Sequence, residues 1–199
     1  MTTQPNGIRI VLISGSVRPG SYTAKSLALV ADEIGKHSEI ALEQIEPSRL
    51  SLPLPGIESS SSDGAQLRES VSRATGVVLA TPEYHGSFSS VIKLVIENLG
   101  FPSVLAGKPI ALLGVAAGQI GAIKAIEGLA SVCSHVGAIV LPGPVSVANV
   151  QRAFDADGRC LDPGVEKRVR SVASNLIDYI HGAICPRIAM EAMARGGVK

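Results

Sequence analysis

Four short, nearly continuous apolar runs predict the strands of a buried sheet. They are IRIVLIS (8–14), GVVLAT (76–81), PIALLGV (109–115) and AIVLP (138–142). Each run is too short for a typical helix and has no polar face, which is the pattern of parallel strands covered on both sides. A fifth run, IALEQI (40–45), alternates apolar and polar residues and predicts an edge strand.

Helical periodicity fills the segments between these runs. Apolar residues recur at helical spacing over 27–34 and again over 123–136. The alternation of strands and helices predicts an α/β fold, a doubly wound parallel sheet of five strands with helices on both faces. We expect one domain over 1–199, with its core at about 8–181 and a C-terminal tail, 186–199, that is ordered only in part.

A third predicted helix, FSSVIKLVIENL (88–99), is apolar on more than one side. One side can cover the sheet, and the other needs a second partner. That partner is either a second subunit or a covering loop, and the pattern favours neither.

Turn-forming residues punctuate the rest of the chain. Residues 47–64 are rich in Pro, Ser and Gly and predict a loop after the second strand. Asp157 and Gly158 predict a tight turn between two short extended pieces, and Asp162 with Pro163 predicts the start of the final helix.

Composition narrows the function classes. The chain is 46% hydrophobic and 18% charged with a net charge of +1, so nothing indicates a long-range field for nucleic acid or a membrane surface. Aromatic residues make up only 3%. Cys133, Cys160 and Cys185 form no C-x-x-C motif, which argues against a disulfide framework or a metal centre. We therefore expect a cytoplasmic protein that binds neither nucleic acid, membrane nor metal.

The loop after the first strand, GSVRPGSYT (15–23), carries candidate anion-binding residues. It lacks the Lys of a Walker loop and the second Gly of G-x-G-x-x-G. Ser16, Arg18, Ser21 and Thr23 lie between a strand end and a helix start, where backbone N–H groups, hydroxyls and one guanidinium suit a phosphate monoester. Serine and threonine are also common helix caps, so a purely structural role is the alternative.

Two further loops point to the same edge of the sheet. In the flavodoxin-like order 2-1-3-4-5, ligands bind where the first and third strands end. TPEYHGSFSS (81–90) follows the third strand, with Tyr84 and His85 as flat groups for a ring system or as ordinary loop residues. GVAAGQIGA (114–122) follows the fourth strand, and its glycines allow either a close approach to a flat ligand or a tight helix start.

Together, GSVRPGSYT, PEYHGSFSSVIK and AAGQIG resemble the NADPH-dependent FMN reductase family, which includes bacterial quinone, chromate and azo-dye reductases. The resemblance covers roughly residues 8–181. It implies a flavodoxin-like fold, FMN as cofactor, NADPH or NADH as co-substrate, and a homodimer or homotetramer.

The resemblance also implies roles for individual residues. Four of them, Ser16, Arg18, Ser21 and Thr23, match positions that hold the FMN phosphate. The isoalloxazine ring would be lined by Pro82, Glu83, Tyr84, His85 and Gly86, and the third loop contributes Ala117, Gly118 and Gly121.

Three positions depart from the family pattern. Thr23 and His85 stand where many members have Asn, and Ala116 stands where Ser is frequent. These departures bear on the choice of substrate more than on flavin binding.

The implied activity is hydride transfer from NAD(P)H through FMN to a quinone, flavin, chromate or azo acceptor. No catalytic residue is assigned, because the cofactor supplies the chemistry. A flavodoxin-like electron carrier without NAD(P)H activity is the alternative, although the neutral charge and the first loop argue against it. A receiver-type signalling domain fits poorly, because Ser14 and Thr81 stand where it needs acidic residues. The acceptor and the preference between NADPH and NADH stay open.

Overall fold

The structure, a computed structural model, describes residues 7–196. The strands are β1 (Ile8–Ser14), β2 (Ile40–Ile45), β3 (Gly76–Tyr84), β4 (Ser87–Phe88), β5 (Pro109–Val115), β6 (Ile139–Val140) and β7 (Val145–Val147). The helices are α1 (Tyr22–Ile34), α2 (Asp63–Arg73), α3 (Ser90–Glu97), α4 (Ile123–His135), α5 (Val150–Ala153), α6 (Pro163–Tyr179) and α7 (Cys185–Gly196). The strands predicted at 8–14, 40–45 and 109–115 are confirmed with the same bounds.

The sheet has the order β2-β1-β3-β5-β6, and every pairing along this path is parallel. This confirms the flavodoxin-like order, with two differences. The fifth strand is divided, so that β6 pairs with the start of β5 and β7 with its end. Residues 142–144 are Pro-Gly-Pro, and proline cannot donate to a strand ladder, which explains why the strand predicted at 138–142 stops at Val140. The short β4 folds back antiparallel on β3.

Two apolar layers cover the sheet. In β1, Ile10 and Leu12 face the layer formed with α1 and α6, while Val11 and Ile13 face the layer formed with α2, α3 and α4. All four side chains are buried. Burial on both faces is what the nearly continuous apolar runs predicted.

Helix α3 buries most of its apolar residues within a single chain. Ile92 and Val95 are fully buried, whereas Val91 and Leu94 are half-buried. At its C-terminal end, Asn98 Nδ2 donates to the carbonyl of Pro53 at 3.0 Å, which holds the Pro- and Ser-rich loop against the helix. A covering loop therefore accounts for part of the second apolar side, and a second subunit remains a prediction.

In the C-terminal third, a predicted turn and a predicted helix start are confirmed, whereas the tail differs from its prediction. The turn at 157–158 is confirmed, since Phe154 pairs antiparallel with Cys160 across it. The predicted start of the final helix is also confirmed, because Asp162 Oδ1 accepts from the amides of Gly164 and Val165 at the start of α6.

The tail expected to be ordered only in part is helical to Gly196. Helix α6 runs through a π-helical segment, Ile180–Ile184, into α7. Along α7, Glu191 pairs with Arg187 and Arg195 at helical spacing, which supports a helix whose side chains are mostly exposed. Residues 197–199 of the predicted tail lie outside the described residues.

No helix between residues 7 and 196 is both long enough and apolar enough to cross a membrane.

An ion-pair cluster joins α1 to α6. The Arg170 guanidinium contacts Glu33 at 3.3 Å and Glu166 at 2.9 Å, and it also donates to Asp32. The hydrogen bond from Arg170 holds the pKa of the Asp32 carboxyl below its usual range. The pKa of Glu33 is lowered first by its hydrogen bond to Lys36 and then by Arg170.

We expect Arg170→Met to destabilise the protein at neutral pH more than Arg168→Met, which removes an exposed arginine from the same helix. A carboxyl whose pKa is lowered in the folded state stabilises that state above its unfolded pKa, and the stabilisation is lost as the pH falls through the folded value. The difference between the two variants should therefore shrink below about pH 4. Urea unfolding across a pH series measures the free energy of unfolding of both variants. A difference between them as large at pH 3 as at pH 7 would contradict the ionic role of Arg170.

Candidate functional site

A cavity of about 340 Å³ opens where β1, β3 and β5 end. The loops that follow these three strands all contribute to its wall. Eight of the predicted site residues line it, namely Ser16, Arg18, Ser21, Thr23, Pro82, Glu83, Tyr84 and Ala117. The structure therefore brings the three sequence motifs to one place.

The first loop leaves donors free at the start of α1. Ser21 is the N-cap, and its Oγ accepts from the amide of Ala24 at 3.2 Å, so the capping role considered from the sequence is confirmed for this residue. The amides of Tyr22 and Thr23, in the first turn, have no partner among residues 7–196. The Thr23 side chain is only 1% exposed and lines the cavity.

Arg18 provides a positive charge near the start of α1. Its backbone N–H donates to Ser16 Oγ at 3.3 Å, which shapes the loop. Its guanidinium has no hydrogen-bond or ion-pair partner in the described part of the chain. A free guanidinium beside free helix N-terminal amides is a suitable environment for an anion.

The second loop is a two-residue hairpin. Glu83 pairs with Phe88 and Tyr84 with Ser87, which leaves His85 and Gly86 at the tip with φ of 51° and 73°. Two successive positive φ angles give the hairpin turn whose twist matches the strands. His85 and Gly86 are consequently not among the residues that line the cavity, whereas Tyr84 is at its rim and 42% exposed.

Glu83 connects this hairpin to α4. Its Oε2 accepts from the amide of Ala125 at 3.1 Å, in the first turn of that helix. Helix α4 has no side-chain cap from its own N-cap residue, Ala122. The carboxylate therefore caps α4 from a neighbouring strand and is partly neutralised by the helix terminus.

In the third loop, Ala117 lines the cavity and the glycines shape the backbone. The carbonyl of Gly118 accepts from the amides of Gly121 at 3.3 Å and Asn149 at 3.1 Å. Gly121 has a φ of 80°, and a Cβ there would lie 2.4 Å from Ser146 Oγ, so only glycine allows this approach to β7. The amides of Ala117 and Gly118 donate to no group in residues 7–196.

Sequence reasoning missed six residues of the wall: Pro19, Gly20, Tyr22, Val115, Ala116 and Val150. Five of them lie inside the first and third motif loops, 15–23 and 114–122, and could have been included by assigning the neighbours of the chosen residues to the site. Val150, in contrast, comes from α5 and carries no local signal.

A second cavity of about 380 Å³ lies on the other side of the first loop, against the end of β2. It shares Ser16, Arg18, Pro19 and Gly20 with the first cavity, but no residue of the second or third loop lines it. The smaller cavity, where all three motifs meet, is therefore the candidate site.

Comparisons with known proteins identify the family of the chain. The family model for NADPH-dependent FMN reductase matches residues 8–152. An NAD(P)H-dependent FMN reductase of Pseudomonas aeruginosa is 34% identical over 166 residues, covering 78% of this chain and 85% of the relative. An NADPH azoreductase of a Bacillus species is 33% identical over 142 residues, covering 69% of this chain and 75% of the relative.

Among solved structures, the flavoenzyme FerB of Paracoccus denitrificans, an NAD(P)H:(acceptor) oxidoreductase, superposes with a TM-score of 0.73. The identity is 22%, and the alignment covers 88% of this chain and 98% of FerB, so this likeness concerns the fold. With the family model matching most of the chain, the sequence and the fold agree: the protein belongs to the NADPH-dependent FMN reductase family and is an oxidoreductase that works with FMN and NAD(P)H.

Proposed function

We propose that FMN binds in the cavity of about 340 Å³ and that the enzyme passes electrons from NAD(P)H to a small conjugated acceptor. The observation that carries the proposal is the meeting of all three motifs in one cavity. Its volume is within the range of small-molecule and cofactor sites, about 300 to 1,000 Å³.

The first loop suits the phosphate end of FMN. The free guanidinium of Arg18 and the free amides of Tyr22 and Thr23 supply positive charge and donors, and the hydroxyls of Ser16, Ser21 and Thr23 border the same space. A terminal phosphate monoester is the chemical group that this donor set matches best. We therefore assign the phosphate to Ser16, Arg18, Ser21 and Thr23, and expect FMN rather than FAD.

The opposite end suits the ring. Pro82, Val115, Ala116, Ala117 and Val150 give a wall of small apolar groups on which a flat ring can pack. The free amides of Ala117 and Gly118 lie in the loop beside this wall, and backbone donors of this kind suit the carbonyl oxygens of a pyrimidine edge.

In contrast, we place His85 and Gly86 at the edge of the ring site, where they fix the hairpin that carries Tyr84. Gly121 acts through the shape of the third loop.

When bound, FMN supplies the redox chemistry, accepting hydride from NAD(P)H and delivering electrons to the acceptor. The chain binds the cofactor, orients it and leaves one side of the cavity open beside Tyr84. No side chain is assigned as a general acid or base, because Glu83, the carboxylate in the wall, is engaged with the amide of Ala125.

The acceptor class follows from the open side of the cavity. Quinones, free flavin and azo compounds are flat and conjugated and can stack where the nicotinamide stacks, and chromate is small enough to enter the same space. The relative from Bacillus is named an azoreductase, which supports the azo acceptors. We expect one face of the bound flavin to stay open, so that the nicotinamide and the acceptor use it in turn.

We also propose a homodimer or homotetramer located in the cytoplasm. Val91 and Leu94 remain half-buried on α3, and Phe101, just beyond that helix, is 97% exposed. Apolar side chains exposed near one helix suit an interface between subunits. All three cysteines are free, as suits a reducing compartment.

Arg18→Ala should weaken FMN binding by about 1.5 to 3 kcal/mol, the range for a hydrogen bond to a charged group. Arg49→Ala, which removes an exposed arginine after β2 that does not line the cavity, should leave the affinity unchanged. Titration followed by flavin fluorescence measures both, and equal FMN affinities for the Arg18 variant and the unmodified protein would remove Arg18 from the site.

With FMN bound, anaerobic mixing with NADPH or NADH should bleach the visible flavin absorbance before any acceptor is added. Steady-state rates with a quinone should then give parallel double-reciprocal lines, because the two substrates share one open side. Stopped-flow absorbance is the direct measurement. Persistence of the flavin spectrum with both nucleotides would favour the electron-carrier alternative.

Light scattering should give a mass of two or four times the 20.5 kDa chain. Leu94→Asp should lower this mass, because it puts a charge into the proposed interface. The exposed Ser90→Asp is the control on the same helix. Ile92→Asp is unsuitable as a probe, since Ile92 is fully buried in the single chain and its replacement would unfold it. A 20.5 kDa species for the unmodified protein at micromolar concentration would exclude the oligomer.

A further inference from the structure

A buried serine joins the first and second loops behind the cavity. Ser89, the N-cap of α3, is 2% exposed, and its Oγ donates to the carbonyl of Gly15 at 2.6 Å. The same Oγ accepts from the amide of Ile92 at 3.2 Å. The hydroxyl therefore does more than cap a helix, because it also bonds to the loop that begins the candidate phosphate site.

The connection continues toward the ring end through Thr81. This residue is fully buried, and its Oγ1 accepts from the amide of Ser89 at 3.0 Å and donates to the carbonyl of Pro82 at 2.9 Å. Pro82 lines the cavity. A continuous path of hydrogen bonds thus runs from Gly15 to Pro82.

The two loops also meet with no spare space at Gly15. Its amide donates to the carbonyl of Ala80 at 2.6 Å. A Cβ at this position would lie 2.7 Å from that carbonyl oxygen and 3.0 Å from Ser89 Oγ. A change of spacing between the loops would therefore break the hydrogen bonds of both Gly15 and Ser89.

We propose that Ser89 is a positioning residue that fixes the distance between the phosphate-binding loop and the ring-binding loop. The proposal rests on the proposed function. A ligand that reaches both loops gains from both contacts only if their spacing is set before it binds, because otherwise binding must also order the loops. A ligand that touches one loop does not depend on that spacing.

FMN and riboflavin provide the test, since riboflavin has the same ring and lacks the phosphate. The full-length chain, freed of flavin, is titrated with each ligand by flavin fluorescence. In Ser89→Ala we expect the Kd for FMN to rise about tenfold or more, and that for riboflavin to change less than twofold. Ser90→Ala, at the exposed neighbouring position, should change neither value.

A second variant separates this role from the loss of the helix cap. Gly15→Ala keeps the Ser89 hydroxyl and its bond to Ile92, but places a Cβ against Ala80 and Ser89. It should produce the same selective loss of FMN affinity. It also tests the positioning role if Ser89→Ala does not fold.

The outcomes are distinct. Unchanged FMN affinity in a folded variant, or equal losses for FMN and riboflavin, would overturn the positioning role while the proposed function stands. Failure of the unmodified chain to bind FMN would instead overturn the proposed function.

Discussion

The close approach of β1 and β3 at their carboxyl ends is the constraint on which the site depends. Gly15 can donate to Ala80 at 2.6 Å only because it has no side chain to separate the strands. The first loop therefore leaves the sheet directly beside the second, and a single ligand can contact both. The parallel order of the sheet makes these two strands neighbours, so the position of the site follows from the topology.

The buried sheet also explains why polar chemistry is concentrated at one edge. Its central strands are covered on both faces by apolar side chains, so groups that bind a charged ligand must lie beyond the strand ends. At that edge the polarity is divided. The first loop contributes Arg18 and hydroxyl side chains to the cavity wall, while Pro82, Val115 and Ala116 contribute apolar groups from the ends of the other two strands. A ligand with an anionic end and a flat ring matches this division.

The positions that depart from the family pattern can be interpreted from their local geometry. His85 stands where many family members have Asn and has a φ of 51°. Histidine, like asparagine, adopts the left-handed region more readily than most residues, so the hairpin turn is retained. Thr23 keeps a hydroxyl at the cavity wall, and Ala116 makes that wall less polar than serine would. The hairpin turn and a hydroxyl in the cavity wall are thus kept at two of the three positions.

The sequence by itself determined four strands and the start of the fifth, their parallel arrangement and the three motif loops, because each depends on local patterns of apolar, glycine and capping residues, whereas it gave no signal for β4 and β7. The tertiary structure decided which of these residues line the cavity. Glu83 was expected at the ring, but its carboxylate also caps α4, a helix that begins 40 residues later in the chain. Val150 joins the cavity wall from α5, and Ser89 joins the two loops through a bond to Gly15. Such contacts connect residues far apart in sequence, and a local pattern contains no information about the distances between them.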